Sequence, residues 1–279
     1  MRRRPSPTTR RLIVNADDLG LHPGINAGIV KAHRDGVVTS ASLSSNGAAF
    51  EDAVALARSI PSLEIGVHLT LAGEAPLLPA ESLPTLAPGG RLPRYFTELF
   101  RRLLLGQVRT EEVERELSAQ VAHVKDAGLE VSHLDSHQHV HLHPVLLPIV
   151  IGVARRFGVR AVRAAPRVIP VRGLRPALLA LVARSSARRV RREGLRTADV
   201  LLGAAETGRL DEPRLLKLLA RLPSGTSEML CHPGCGSEGI AERYDWGFRW
   251  DEEVAALTSP KVRAALAEAG IRLVTHREL

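Results

Sequence analysis

The strongest constraint on the fold is a sustained alternation of two hydrophobic periods along 279 residues. Short apolar, β-branched runs predict strands at Leu12–Asn15, Val38–Leu43, Ile65–Leu69, Val131–Leu134, Ala161–Arg163, Val200–Leu202, Glu228–Cys231 and Arg272–Thr275. Helical patterns fill the intervals near 24–34, 48–59, 95–105, 110–127, 144–157, 174–193, 211–221 and 252–269. Thr110 before Glu111 and Glu112 reads as an N-cap with acids in the first turn, and Gly128 as that helix's stop. Pro144 fits the first turn of the next helix and Gly158 its end. Strand–helix alternation calls for parallel strands joined by helical crossovers. About eight such units in this length predict an α/β fold, a TIM-like and irregular (β/α) barrel with its active site at the C-terminal ends of the strands. One catalytic domain over residues 11–279 is expected, behind a basic tail at 1–10. The Pro/Gly-rich stretch from Pro76 to Pro93 is expected to be an irregular surface loop placed to act as a lid.

Composition narrows the class. With 44% hydrophobic and 24% charged residues the chain is ordinary globular protein, neither disordered, coiled coil nor disulfide scaffold. Two cysteines, Cys231 and Cys235, are expected to be reduced thiols, since a C-x₃-C pair lacks the further ligands of a zinc knuckle. No stretch reaches the ~18 apolar residues of a membrane span. The N-terminal segment MRRRPSPTTRR is basic but has no apolar h-region, so the cytoplasm is the expected location.

The net charge of +8 is uneven: residues 1–11 carry five Arg and no acid, and residues 155–196 carry thirteen Arg against Glu193 alone. The plain account of the second segment is a solvated helix face. The sharper ones are an anionic partner, either nucleic acid or an anionic membrane surface. Pro176–Ala183 is apolar and 184–192 basic, a pattern that suits peripheral membrane contact as well as a half-buried helix. Nucleic acid is disfavoured because nine aromatic residues are few for base stacking and no recognised binding motif is present.

Reactive side chains gather where the predicted strands end. The first strand runs into Asn15-Ala16-Asp17-Asp18, the third into Gly66-Val67-His68, and the seventh into Cys231-His232-Pro233-Gly234. The fourth runs into a segment, 133–143, that holds five of the eleven histidines. Adjacent carboxylates alone could be a cap and a solvated group. Beside His68 and the His-rich segment they read better as part of a catalytic metal site of imidazole and carboxylate, suited to Zn²⁺, Mn²⁺, Co²⁺, Fe²⁺ or a hydrated Mg²⁺. On a regular strand Asp17 and Asp18 would face opposite ways. In an irregular loop they can share one site, Asp18 on the metal and Asp17 on its water. Asp135 suits the free nitrogen of a ligating imidazole, His139 suits substrate or a supporting contact, and Arg163 could meet substrate or orient Asp17. His133 and His141 are expected to be structural, and His22, His33, His123 and His276 are set aside as helical or terminal.

NADDLG, GVHL, HLDSHQHVHLHP and CHPG, in this order and at these intervals, resemble the YdjC-like carbohydrate deacetylases. The resemblance implies one divalent metal, Mg²⁺ or Zn²⁺ first and Mn²⁺ or Co²⁺ next, held by Asp18, His68 and His137. It implies Asp17 as catalytic base and His232 as acid in removing the N-acetyl group of an amino sugar. A chitooligosaccharide such as diacetylchitobiose is the expected substrate. A hopanoid-type, lipid-linked N-acetylglucosamine at a membrane is the alternative, and a basic nucleic-acid-binding protein a distant one. A homodimer is compatible with the resemblance. Leu19 replaces the family's usual Phe, and Gln138 a common His.

Overall fold

The computed structural model describes residues 9–167 and 174–279, with side chains for 9–167 and 181–279. Eight strands form where the alternation predicts them: β1 (Arg10–Leu19), β2 (Ser40–Leu43), β3 (Glu64–Leu69), β4 (Val131–Ser136), β5 (Ala161–Val162), β6 (Val200–Leu202), β7 (Gly225–Cys231) and β8 (Ile271–Leu273). Seven of them pair in parallel in the order β5-β4-β3-β2-β1-β7-β6. Curled round, that path is the chain order, as in a (β/α) barrel. The join between β5 and β6 has no regular ladder. It is stitched by Val162 N–H on the Arg196 carbonyl, Arg196 N–H on Arg160 and Leu201 N–H on Arg167, at 3.0, 2.8 and 2.8 Å. The eighth strand does not complete the ring: β8 pairs only with the first residues of β1, Arg10–Leu12.

Ten helices connect the strands: α1 (Pro23–Arg34), α2 (Phe50–Ser59), α3 (Phe96–Leu104), α4 (Thr110–Asp126), α5 (Leu146–Arg156), α6 (Leu174–Arg192), α7 (Glu212–Leu219), α8 (Ser237–Ala241), α9 (Trp250–Leu257) and α10 (Pro260–Glu268) among the described residues. The helix predicted over 252–269 is two, because the Ser259 hydroxyl caps α10 and Pro260 takes its first position. Arg109, not Thr110, is the N-cap of α4, and the Thr110 hydroxyl turns to Glu111 instead. Pro144 lies ahead of α5 rather than in its first turn.

Side-chain parity decides what the barrel holds. On β1 to β3, Leu12, Val14, Ala16, Ala41, Leu43, Ile65, Val67 and Leu69 face outward into one apolar core with the helices. The alternate positions face the barrel axis and, apart from Ile13 and Gly66, are polar: Asn15, Asp17, Ser40, Ser42, Glu64 and His68, continued by His133, Asp135, Arg163 and Glu228, all buried. Gly66 belongs to this inner set because the His133 imidazole lies 2.3 Å from where a Cβ would stand. A buried axis lined with charges holds together only when nearly every group is paired.

The stretch 76–93 is not a free lid. Leu83, Leu86 and Ala87 are fully buried, and the backbone N–H groups of Leu77, Leu78, Thr85 and Leu86 donate to Glu116 and Glu112 on α4. Over its described side chains α6 buries Ala183, Ser186, Ala187 and Val190 and exposes its arginines, a solvated basic face on a half-buried helix. Most of the basic tail, and the side chains over 176–180 of the apolar run, lie outside the described residues. No described helix is long and apolar enough to cross a membrane.

Candidate active site

A bulge places the adjacent carboxylates. The pairing of β1 with β2 slips between Ala16 and Leu19, and Asp18 takes φ +70°. The extra residue re-aims one side chain, so Asp17 and Asp18 serve one cavity from consecutive positions. Gln138 and His139, at φ +55° and +54°, complete the set of non-glycine residues with left-handed backbone among the described residues. All three lie at this site, where strain of about 1 kcal/mol or more each is held in place by the surrounding structure.

Asp18 Oδ1 stands 3.4 Å from His68 Nε2 and 3.1 Å from His137 Nδ1. These groups offer three ligand atoms within 4.8 Å of one another. His68 is oriented from behind, its Nδ1 being 2.9 Å from Asp135 Oδ1, which leaves Nε2 facing Asp18. Burial opposes ionisation of Asp18, yet His137 and His68 hold its carboxyl well below the usual range. Burial likewise opposes charge on His68, but Asp135 and then Asp18 push its pKa up to about 10. The geometry and charge of this pocket favour positive charge at its centre.

Asp17 is held differently. Arg163 forks onto it, Nη1 on Oδ2 and Nη2 on Oδ1, both at 2.7 Å. Asn15 Nδ2 adds 2.8 Å to Oδ1, so Oδ2 accepts from Arg163 alone. Arg163 is 1% exposed, and it also holds Asp135 at 2.8 Å and Glu228 at 2.6 Å. Burial works against its charge, but Asp135, Asp17 and Glu228 raise its pKa well above the ordinary value. Arg163 therefore orients Asp17 and does not line the cavity.

His232 reaches the cavity from the end of β7. Its backbone N–H donates to Glu253 Oε2 at 2.6 Å, its ring meets Phe248 edge-on at 5.1 Å, and its ring Nδ1 is buried without a partner. The cavity, about 440 Å³, is lined by Asp17, Asp18, His68, His137, His139 and His232 among others. A larger surface hollow between α1 and α2, about 580 Å³, has no histidine or cysteine in its wall. Of the residues expected at the site, Asp135 and Arg163 support it from beneath, and His139 lines it. His133 and His141 lie outside the cavity lining, bonded within the barrel. His133 lies 3.0 Å from Ser42 Oγ, and His141 Nε2 donates to the Arg163 carbonyl at 2.6 Å. Cys231 and Cys235 are free thiols.

Three features escaped the sequence. Trp246 and Phe248, half-buried, form one wall of the cavity, and the Trp246 ring lies 5.2 Å from that of His137. The signal was present: Tyr244, Trp246, Phe248 and Trp250 stand at alternate positions in a chain with nine aromatic residues. Phe96 borders the cavity as well, its N–H donating to Gln138 Oε1 at 3.0 Å, so Gln138 ties α3 to the histidine segment. His276, set aside as terminal, is 3% exposed and stacks on His133 at 3.6 Å within the barrel.

Glu64, His133 and His276 also bring ligand atoms together. They do not suit a metal. Both His133 nitrogens already face the hydroxyls of Ser42 and Ser132, and stacked imidazoles aim their lone pairs along parallel planes rather than at one point.

The model of the YdjC-like protein family matches residues 11–268. The chain belongs to that family. Among its relatives, a carbohydrate deacetylase from Geobacillus stearothermophilus is 36% identical over 270 residues, spanning 96% of this chain and 98% of the relative. A chitooligosaccharide deacetylase from Klebsiella pneumoniae strain 342 is also 36% identical, over 97% and 99% of the two chains. A solved structure from Enterococcus faecalis V583 superposes with a TM-score of 0.78 at 28% identity, covering 97% of this chain and 99% of that one.

Proposed function

We propose that this YdjC-like chain is a metal-dependent hydrolase that removes the N-acetyl group from an amino sugar, with a short chitooligosaccharide such as diacetylchitobiose as substrate. One observation carries the reading. A carboxylate–imidazole triad, a separately held carboxylate and an unpartnered histidine face one cavity, in a chain whose relatives are named deacetylases.

The donor set fits a divalent cation: Asp18, His68 and His137 would hold it, two nitrogens and a carboxylate with His68 fixed by Asp135. The chemistry such an ion supplies when bound is polarisation of a carbonyl and a lowered pKa for water. The protein's own groups do the rest. Asp17, with a lone pair of Oδ2 left over beside Arg163, takes a proton from the attacking water as its oxygen bonds to the acetamide carbon. Arg163 and Asn15 keep that carboxylate in one orientation. Breaking the C–N bond would release a strongly basic nitrogen, so His232 gives it a proton and the products are acetate and the free amine. Trp246 and Phe248 offer flat apolar faces to the sugar ring.

Acetate release from N,N′-diacetylchitobiose and chitotriose, metal-free and with Zn²⁺, Mn²⁺, Co²⁺ or Mg²⁺, tests the proposal. Metal-dependent release that disappears in His68→Ala supports it. Silence from protein that binds no metal overturns the mechanism. Silence from protein that does bind one redirects the substrate to another acylated sugar.

A further inference from the structure

Beneath Asp17 the barrel axis carries a column of charge that the reaction does not touch. Glu228 Oε1 accepts from Arg163 Nε at 2.6 Å and stands 3.4 Å from His276 Nε2. On the other side of the ring, His276 Nδ1 is 3.3 Å from Glu64 Oε1, and both contacts are charge pairs without hydrogen-bond alignment. The face of the ring stacks on His133, and the side chains of His276, Glu64 and Glu228 are at most 4% exposed. His276 is set there by a built socket. Glu64 accepts the N–H groups of His276 and Arg277 at 2.7 and 3.3 Å, Arg277 pairs with Glu130, and the Thr275–Glu278 capping box closes the turn. Arg163 alone serves three carboxylates, Asp17, Asp135 and Glu228. Glu64, Glu228 and the neutral His133 are the titratable groups that face His276, and none of them lines the cavity.

We infer that His276 is a positioning residue for the base: by sharing the charge of Glu228, it keeps Arg163 in place to fork Asp17 with Nη2 and with the Nη1 it shares with Asp135. This rests on the deacetylase reading of the site above. Were Glu228 to lean on Arg163 alone, the guanidinium would be drawn down the axis and the two-point hold on Asp17 would loosen. His276 touches neither cavity nor donor triad, so its loss acts on the chemical step and not on binding.

The test is a pair of variants and a spectrum. His276→Gln should lower kcat at least tenfold, with KM and cation affinity unchanged. The double variant His276→Gln/Glu228→Gln should recover kcat to within about threefold of wild type, because the charge that strains Arg163 is gone. A merely structural role for His276 would make its loss add to that of Glu228→Gln alone. In parallel, the ¹⁵N resonances of the His276 ring at pH 7.5 should show an imidazolium, a reading that holds whether or not the protein releases acetate. A neutral ring, a single variant with wild-type kcat, or a double variant no better than the single would each overturn the inference. Absence of activity in wild-type protein that shows the imidazolium would instead count against the deacetylase reading. Should His276→Gln not fold, His276→Lys keeps the charge and should keep kcat within about tenfold, and a larger loss in folded protein counts against the inference.

Discussion

Gly28 on α1 is where the packing of the barrel bears most directly on the proposed acid. A Cβ at residue 28 would stand 2.3 Å from Gly234 Cα, 2.5 Å from Gly234 N and 2.6 Å from Gly234 C, all of them backbone. Ordinary carbon contacts lie at about 3.5–4.0 Å, so helix or loop must give by roughly 1 Å. The loop has little freedom: His232 N–H is bonded to Glu253, Gly234 N–H to the Trp250 carbonyl and Cys235 N–H to the Gly24 carbonyl. Gly28→Ala therefore displaces the segment that presents His232. Overpacking of this kind costs about 1–3 kcal/mol in stability, and a misplacement of ~1 Å at a reacting group costs about 100-fold in rate. Thermal unfolding and kcat/KM for acetate release measure the two. Gly152→Ala on α5, where nothing lies within 4 Å of the added carbon, should instead stabilise by about 0.5–1 kcal/mol without touching kcat/KM. Gly28→Ala with kcat/KM within threefold of wild type would refute the reasoning.

Other consequences are equally open to measurement. His68, held at about 10, is protonated at neutral pH without a cation and must lose that proton to bind one. Calorimetry in buffers of different ionisation enthalpy should show close to one proton released per Zn²⁺ at pH 7.5, with affinity rising as pH climbs toward 10. His276 is raised from 6.5 to about 9: burial opposes its charge, but Glu228 and Glu64 outweigh it. Its stabilising contribution, on the order of 3 kcal/mol, is complete below pH ~6.5 and lost as pH passes through about 9. The Tm gap between wild type and His276→Gln should accordingly be wide at pH 6 and nearly closed at pH 10. Trp246→Ala removes one wall of the cavity and should raise KM about tenfold, ~1.4 kcal/mol, with a smaller change in kcat.

The strand ends were legible because chemistry and periodicity coincide there. Asp17, Asp18, His68, His137 and His232 each follow an apolar run, and a (β/α) barrel brings such ends to one rim. What was hidden depends on contacts between distant segments. That β8 hangs beside β1, outside the ring, depends on pairing rather than on its own residues. The bulge that lets Asp17 and Asp18 share a cavity leaves no mark in residue type. Glu112 reads in the sequence only as a first-turn acid and Glu116 gives no signal, but both are buried because they accept the backbone N–H groups of the 77–86 stretch. His276 looked terminal for the same reason: only the curled sheet shows that the turn after β8 enters the axis. Trp246 and Phe248 could have been found by asking where the few aromatic residues are, rather than how many there are.

The central claim is that adjacent aspartates divide the work, Asp18 binding the cation and Asp17 moving the proton. Titration of Asp17→Asn and Asp18→Asn with Zn²⁺ by calorimetry, beside acetate release from diacetylchitobiose, tests it most directly. Asp17→Asn should bind one cation with near wild-type affinity and lose at least 100-fold in kcat, whereas Asp18→Asn should lose both. Loss of the cation in Asp17→Asn, or its retention with full turnover in Asp18→Asn, would contradict the account.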